Sequence, residues 1–221
     1  MAVKSYSLKK QGNNKLTAHF RVREFKCDDG SDAIRIDEKL VKLLEQIRVY
    51  ADAPVNITSA YRTSAYNVRV GGSRSSYHTK GQAADIVVTG KTPAEVAKFA
   101  QAIGARGVGC YTKRRFVHVD TRGSKYYWKN AGNSAADDKK VSGHGGACPY
   151  SQPSSTVKKG RTGNGVRWIQ WWLQLWGYNV SVDGVCGPKT EKAIKDFQKR
   201  LGLTIDGLAG AKTRNALRGV L

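Results

Sequence analysis

The 221-residue sequence has few acidic residues, with 17 Asp and Glu against 38 Lys and Arg, which gives a formal net charge of +21. This excess carries no information about fold, but it favours anionic partners such as nucleic acid, an anionic membrane face or a bacterial wall rich in phosphate and carboxylate. The basic residues are spread along the chain, and the sequence has neither a basic helix nor an aromatic RNA-recognition strand. We therefore expect no nucleic-acid partner.

Long apolar runs are also missing. No segment approaches the roughly 18 apolar residues that cross a bilayer, so we expect no membrane insertion. Residues 1–20 are polar and lack the apolar core of a secretory signal, which predicts synthesis in the cytoplasm. The cysteines form no CxxC pair, which excludes a Cys-based zinc knuckle or a thioredoxin-type centre and predicts reduced thiols. They are Cys27, Cys110, Cys148 and Cys186.

Composition divides the chain into three parts. Residues 129–157 are rich in Gly, Ser, Ala, Asn and Asp without a sustained period, which predicts a linker in which His144 is solvated. A long loop of the preceding domain is the alternative. Residues 1–128 mix helical and alternating patterns, which predicts an α+β domain with a small, mostly antiparallel sheet. Residues 158–221 are predicted to form a small all-α domain of three helices.

Local patterns place several elements in the first part. The apolar spacing predicts an amphipathic helix over residues 36–48, with Asp37 near its start. A capping box of Thr92 and Glu95 opens a second helix that is predicted to end at Ile103. Strands are predicted over residues 55–58, 84–88 and 116–120.

Two short segments concentrate residue types that bind metals, SYHTKGQAAD at 76–85 and FVHVD at 116–120. In the first, Gly81, Ala83 and Asp85 share one strand face, and the two small residues leave space around the carboxylate. The second presents a His and an Asp on one face and two valines on the other. Two imidazoles and one carboxylate match a three-ligand zinc site. A capped histidine at a strand end and a pairing of Asp85 with a lysine are the alternatives.

Together these segments resemble the zinc D-alanyl-D-alanine carboxypeptidase family of peptidoglycan metallopeptidases. The pattern SxHxxGxAxD is followed by FVHVDTR, and TSAYRTSAYN at residues 58–67 is similar to the SGYRSxxYN segment of that family. The resemblance runs from about Phe20 to Arg122. It implies a zinc-dependent hydrolase with an α+β catalytic domain.

The resemblance also implies roles for individual residues. The implied ligands of the zinc ion (Zn²⁺) are His78, Asp85 and His118. Arg62 is placed at the substrate, where a guanidinium fork suits a terminal carboxylate or the scissile carbonyl, and where it would stabilise the oxyanion. Ser76 is placed beside the substrate as well.

The general base departs from the family pattern. Some relatives carry Glu three residues before the last zinc histidine, and this chain has Arg115 there. The nearest remaining carboxylate is Asp120, on the same strand face as His118. Asp120 is predicted either to accept the proton of the attacking water or to orient a zinc ligand, and the sequence leaves both roles open.

The last part of the chain contains an internal repeat. The pattern DGxxGxKTxxA begins at Asp183 and again at Asp206, and it resembles the small three-helix peptidoglycan-binding domain. Four tryptophans precede the repeat. Helical spacing assigns Ile169, Trp172, Leu173 and Trp176 to a core stripe. Trp168 and Trp171 lie beside that stripe, and they either fill the core or stack on the sugar or peptide of a glycan.

These observations predict a zinc metallopeptidase that hydrolyses D-Ala-containing stem peptides of bacterial peptidoglycan, as a D,D-carboxypeptidase or an endopeptidase. The predicted form is a monomer whose positive charge also suits anionic wall polymers. With no secretory signal, a phage endolysin that a holin releases from the cytoplasm is the expected biological setting, which implies an antimicrobial activity. A bacterial autolysin exported by another route is the competing origin. The alternative is a non-catalytic wall-binding protein with a structural zinc site.

Overall fold

The computed structural model describes residues 2–220, and the chain forms two compact units whose boundary falls between Gly146 and Ala147. Within the described residues, no helix is both long and apolar enough to cross a membrane. The prediction of a linker over residues 129–157 is wrong for the first half of that range, because residues 126–141 contain two strands of the first unit. Residues 126–130 begin with three consecutive aromatic residues and residues 138–141 are mostly charged, so no alternating pattern of apolar residues marked either strand.

The first unit combines strands and helices, which confirms the predicted α+β class. Its strands are β1 (Val3–Ser7), β2 (Ala33–Asp37), β3 (Val55–Ser59), β4 (Ala83–Val88), β5 (Gly107–Tyr111), β6 (Phe116–Asp120), β7 (Tyr126–Asn130) and β8 (Asp138–Val141). Its α-helices are α1 (Leu8–Gln11), α2 (Glu38–Ala51), α3 (Ser64–Arg69) and α4 (Pro93–Ala102). Strands β1 and β2 form a separate antiparallel pair.

The other six strands form one sheet in the order β3-β4-β6-β5-β7-β8. All neighbours are antiparallel except β5 and β7, which are parallel. Helices α2 and α4 contact one face of this sheet, and Tyr50 stacks on Phe99 between them with ring centroids 3.8 Å apart. Val117 and Val119 of β6 are almost completely buried on that side. The opposite face is therefore free to carry polar side chains.

The two predicted helices begin where their capping residues indicate. Asp37 caps α2 by accepting a hydrogen bond of 3.0 Å from the backbone N–H of Lys39. Thr92 and Glu95 form the predicted capping box of α4. These ends were predictable because each cap lies within a few residues of the helix that it starts.

The second unit contains the three predicted helices, α5 (Asn164–Leu175), α6 (Pro188–Arg200) and α7 (Ala211–Leu217). The predicted core stripe of α5 is confirmed. Ile169 and Leu173 are fully buried, and Trp172 and Trp176 are nearly so.

A buried glutamine holds each copy of the repeat. The Gln170 side-chain amide donates to Asp183 Oδ1, the Val185 carbonyl and Thr190 Oγ1 over 2.7–3.1 Å. The Gln198 amide makes the same three bonds in the second copy, and in both copies the glutamine oxygen accepts from the backbone N–H of the motif's first glycine. The Asp, Gly and Thr of the motif are thus used in hydrogen bonds that hold the loop in which they lie, so the repeat has a structural role.

Candidate active site

The candidate site lies on the open face of the six-stranded sheet. Pairing of β4 with β6 places Asp85 directly opposite His118, and pairing of β6 with β5 places His118 opposite Gly109. The parallel pairing of β5 with β7 extends this row to Trp128. Four strands therefore bring one residue each to a single line across the sheet.

Two glycines of β5 provide the space that this row needs. A Cβ atom on Gly109 would overlap the indole of Trp128, which lies with its ring centroid 5.1 Å from that of His118. A Cβ atom on Gly107 would overlap the carboxylate of Asp120. Strand β5 was not predicted from the sequence, but the alternating glycines in GVGCY are the signal that could have indicated it.

His78 reaches the row from the turn before β4. Its Nδ1 donates a hydrogen bond of 2.7 Å to the carbonyl of Ala60, which leaves Nε2 facing His118 and Asp85. The following Gly81 has a φ of +69°, and a Cβ atom there would overlap the backbone of Arg35. Gly81 therefore belongs to the turn and not to the strand face where we expected it.

The three residues implied as zinc ligands come together. Ligand atoms of His78, Asp85 and His118 all lie within 4.8 Å of one another. His118 Nδ1 lies 2.9 Å from Asp85 Oδ1 and 3.2 Å from His78 Nε2. Both imidazoles present a ring nitrogen whose partner nitrogen is already bonded elsewhere, as metal-binding histidines require. This donor set fits zinc.

The cluster is electrostatically self-consistent. Burial would raise the pKa of Asp85, but the adjacent His78 and His118 outweigh it and hold that pKa well below its usual range. Burial would lower the pKa of His118, but hydrogen bonds to Asp120 and Asp85 outweigh it and raise the pKa to about 9. The site thus keeps the largely buried Asp85 carboxylate ionised, and an ionised carboxylate is a strong ligand for a cation.

Asp120 lies behind His118. Its Oδ2 accepts a hydrogen bond of 3.0 Å from Nε2 of His118, the nitrogen that points away from the cluster, and the residue has no exposed surface. Of the two roles that the sequence left open, this geometry supports the orientation of a zinc ligand. Arg122, the last residue of the FVHVDTR segment, had no predicted role, and it pairs with Asp120 at 2.5 Å.

Arg62 and Ser76 both line the cleft above the cluster. Arg62 Nη2 donates to Asp85 Oδ2 at 2.8 Å, and its Nε donates to Ser59 Oγ at 2.8 Å. Asp85 is thus paired with an arginine and not with the lysine of the alternative reading. Ser76 Oγ accepts from the backbone N–H of His78 at 3.3 Å, so it helps to hold the turn that carries this histidine.

The cleft has a volume of about 620 Å³ and contains residues that sequence reasoning did not assign. Aromatic side chains form much of its wall: Tyr77, Tyr111, Phe116, Tyr126 and Trp128. Burial raises the pKa of Tyr111 to about 12, so its hydroxyl stays protonated. Asp138 also lines the cleft, with Oδ2 at 3.5 Å from the Tyr111 hydroxyl. It comes from β8, which the sequence placed in the linker.

Of the two roles left open for Trp168, core filling is observed and glycan stacking is wrong, and the expectation for His144 is also wrong. Trp168 is only 3% exposed and packs against Trp172, so it has no free face for a glycan; it fills the core because three short helices need large apolar side chains. His144 is half-buried, and its Nε2 hydrogen-bonds to the Val108 carbonyl at 3.0 Å within the first unit. Trp171 is half-buried, and its predicted role stays a prediction.

Comparison with protein families identifies both units. The peptidase M15 family matches residues 16–120, which include the three clustered residues and the cleft arginine Arg62. The match covers most of the first unit, which is referred to as the M15 domain. Its extent agrees with the resemblance found in the sequence, which is thereby confirmed. The peptidoglycan binding domain family matches residues 162–217, which include α5, α6 and α7 and both copies of the repeat.

The M15 domain is similar to curated proteins of bacteria. Peptidoglycan L,D-endopeptidase MepK of Escherichia coli K12 is 39% identical over 80 residues, which are 34% of this chain and 43% of MepK. The probable peptidoglycan L,D-endopeptidase MepK of Haemophilus influenzae is 32% identical over 83 residues, with 35% and 44% covered. The chain thus spans less than half the length of these relatives.

Solved structures also match part of the chain. The SleB N-terminal domain is 40% identical and covers 30% of this chain and 93% of its own, with a TM-score of 0.30. A peptidoglycan-binding protein from Clostridioides difficile is 41% identical and covers 29% of this chain and 40% of its own, with a TM-score of 0.29.

We predict that the metal-free chain takes up zinc with one ion per chain and that His118→Ala loses this uptake, because one of three ligands is removed. The measurement is elemental analysis after dialysis, together with calorimetric titration. His19→Ala is the matched control, since the His19 ring pairs with Glu45 and not with the cluster. Equal zinc uptake by His118→Ala and the wild type would contradict the assignment.

Proposed function

We propose that this protein is a zinc-dependent peptidase that hydrolyses peptide bonds in the stem peptides of bacterial peptidoglycan. The observation that carries the proposal is the convergence of His78, Asp85 and His118 at the base of an open cleft in an M15 domain. Zinc bound there would act as a Lewis acid on the scissile carbonyl and would ease the deprotonation of water.

The side chains of the cleft have separate tasks in this proposal. Arg62 donates to Asp85 through Nη2 and to Ser59 through Nε, and it lines the cleft, so its Nη1 group can donate to a carbonyl or carboxylate of the substrate. The aromatic wall excludes water from the bound peptide and strengthens these charge interactions. Ser76 stands beside the first histidine, where a substrate backbone would pass.

The second unit is proposed to hold the protein on its substrate. A module that binds the same polymer raises the local concentration of the M15 domain at an insoluble wall. Trp171 is our candidate for stacking on the glycan or peptide, because it is the tryptophan of α5 that is not buried. The excess of basic side chains would add attraction to anionic wall polymers, and this attraction should weaken as salt is added.

The bond that is cleaved and the biological setting are finer proposals. The MepK relatives are named as L,D-endopeptidases, and the sequence resemblance points to bonds next to D-Ala, so an endopeptidase that acts near the D-residues of a stem peptide combines both. The pairing of a peptidase unit with a wall-binding unit also suits a lytic enzyme such as a phage endolysin.

We predict that the purified chain releases new amino groups from isolated peptidoglycan, and that a chelator or His118→Ala abolishes the release. Mass spectrometry of products from defined muropeptides identifies the bond: loss of cross-links indicates an endopeptidase, and free D-Ala indicates a carboxypeptidase. Binding to the wall without hydrolysis, with zinc restored, would instead favour the non-catalytic wall-binding protein.

The acceptor of the water proton is proposed to be Asp138. Among the described residues that line the cleft, the carboxylates are Asp85, which belongs to the cluster, and Asp138. Asn130 donates to Asp138 Oδ1 at 2.6 Å and so fixes the carboxylate. Asp120 is unsuited to this task because it is enclosed behind His118.

We expect Asp138→Asn to lower kcat about 100-fold, the usual contribution of a positioned base, with zinc content unchanged. Asp137→Asn is a control, because Asp137 caps a neighbouring turn through Ser134. An unaltered kcat in Asp138→Asn would exclude this carboxylate as the acceptor.

We also expect Trp171→Ala to weaken sedimentation with insoluble peptidoglycan about 3- to 10-fold, which corresponds to the loss of one stacking contact. The soluble activity on muropeptides should stay at the wild-type level, because the variant leaves the M15 domain intact. Tyr150→Ala, another half-buried aromatic residue of the second unit, serves as control. Wall binding by Trp171→Ala that equals that of the control would rule out this stacking contact.

A further inference from the structure

Arg122 is enclosed by aromatic rings at the edge of the cleft. Its guanidinium carbon lies 4.7 Å from the ring centroid of Tyr77, 5.2 Å from that of Tyr126 and 5.5 Å from that of Trp128. Ring faces attract a cation, and three of them restrict where a guanidinium can move. These three rings are referred to below as the aromatic cage.

From within the aromatic cage, Arg122 grips one carboxylate. Its Nε donates to Asp120 Oδ1 at 2.8 Å and its Nη2 donates to Asp120 Oδ2 at 2.5 Å, a two-point contact that fixes the plane of the carboxylate. The backbone N–H of Arg122 donates to Oδ1 as well, at 3.1 Å. Asp120 is completely buried and would be strongly destabilising without these donors.

The carboxylate passes this constraint to His118. Asp120 Oδ2 accepts from His118 Nε2 at 3.0 Å, and the opposite ring nitrogen, Nδ1, then faces Asp85 and His78. Trp128 contacts both Arg122 and His118, since it belongs to the aromatic cage and also lies against the His118 ring. The rigidity of the aromatic cage is thereby coupled to the direction of a metal-binding nitrogen.

We propose that Arg122 is a positioning residue for zinc, which acts through Asp120 to aim His118 Nδ1 at the metal. This inference rests on the proposed zinc-dependent function. An arginine that served only to neutralise a buried carboxylate would need neither the aromatic cage nor a two-point contact. Partners beyond the ligands of a metal commonly change its affinity by about 10- to 100-fold.

The test measures the zinc affinity of the full chain by competition with a chromogenic chelator. We expect Arg122→Ala to weaken zinc binding about 10- to 100-fold, and Arg122→Lys to weaken it less, because an ammonium keeps the charge but lacks the fork. Tyr126→Leu opens one side of the aromatic cage at a residue that is 41% exposed, so this variant should fold and lose affinity to a smaller extent.

Arg114→Ala is the matched control. Arg114 lines the same cleft and lies over Tyr111 and Phe116 at 5.4 and 5.0 Å, but it is not part of the chain of contacts to His118. Its zinc affinity should equal that of the wild type. Thermal unfolding of the zinc-free variants provides the second readout, because a merely structural Arg122 would lower the unfolding temperature without changing the affinity of the folded protein.

The outcomes distinguish a failure of the positioning role of Arg122 from a failure of the proposed zinc-dependent function. If the wild type binds zinc and Arg122→Ala binds it within about twofold of Arg114→Ala, the positioning role is overturned and the proposed function stands. If the wild type takes up no zinc, the proposed function fails and the positioning role fails with it. A graded loss of affinity from Tyr126→Leu through Arg122→Lys to Arg122→Ala supports the inference.

Discussion

The antiparallel pairing of β4 with β6 is the constraint on which the candidate site depends. Asp85 stands directly opposite His118 in this register, and Ala83 stands opposite Asp120. A slip by one residue would turn both functional side chains of β6 toward the helices and would expose Val117 and Val119. Burial of those valines against α2 and α4 therefore stabilises the register that brings Asp85 and His118 of the candidate site together.

The site concentrates charge that would be unfavourable in isolation. Two enclosed carboxylates, Asp85 and Asp120, are balanced by Arg62, Arg122 and the histidines between them. Removal of any one partner leaves an uncompensated charge in a poorly solvated place. Such an arrangement adds little to the stability of the fold, because burying charges costs free energy. It is suited to holding potential ligand atoms in place for a cation.

The two units use their strongest sequence motifs differently. In the M15 domain, His78, Asp85 and His118 of the motifs line a cleft. In the second unit the repeated DGxxGxKT pattern is absorbed by Gln170 and Gln198, which close the loops from within. The motif residues thus form a candidate ligand cluster in one unit and hold loops in the other, and the hydrogen-bond partners distinguish the two cases.

Local sequence determined the features whose causes are local. The caps of α2 and α4, the strand β6 with its two faces and the apolar stripe of α5 all follow from residues within one element. Resemblance to a known family added the three clustered residues as candidate ligands. Tertiary structure decided the rest. Strands β7 and β8 carry little apolar alternation, and they are strands because distant partners satisfy their backbone groups. Neighbours far along the chain decide the direction of the Asp120 carboxylate, the burial of Trp168 and the position of Arg122 among three rings. No periodicity within one segment can specify such contacts.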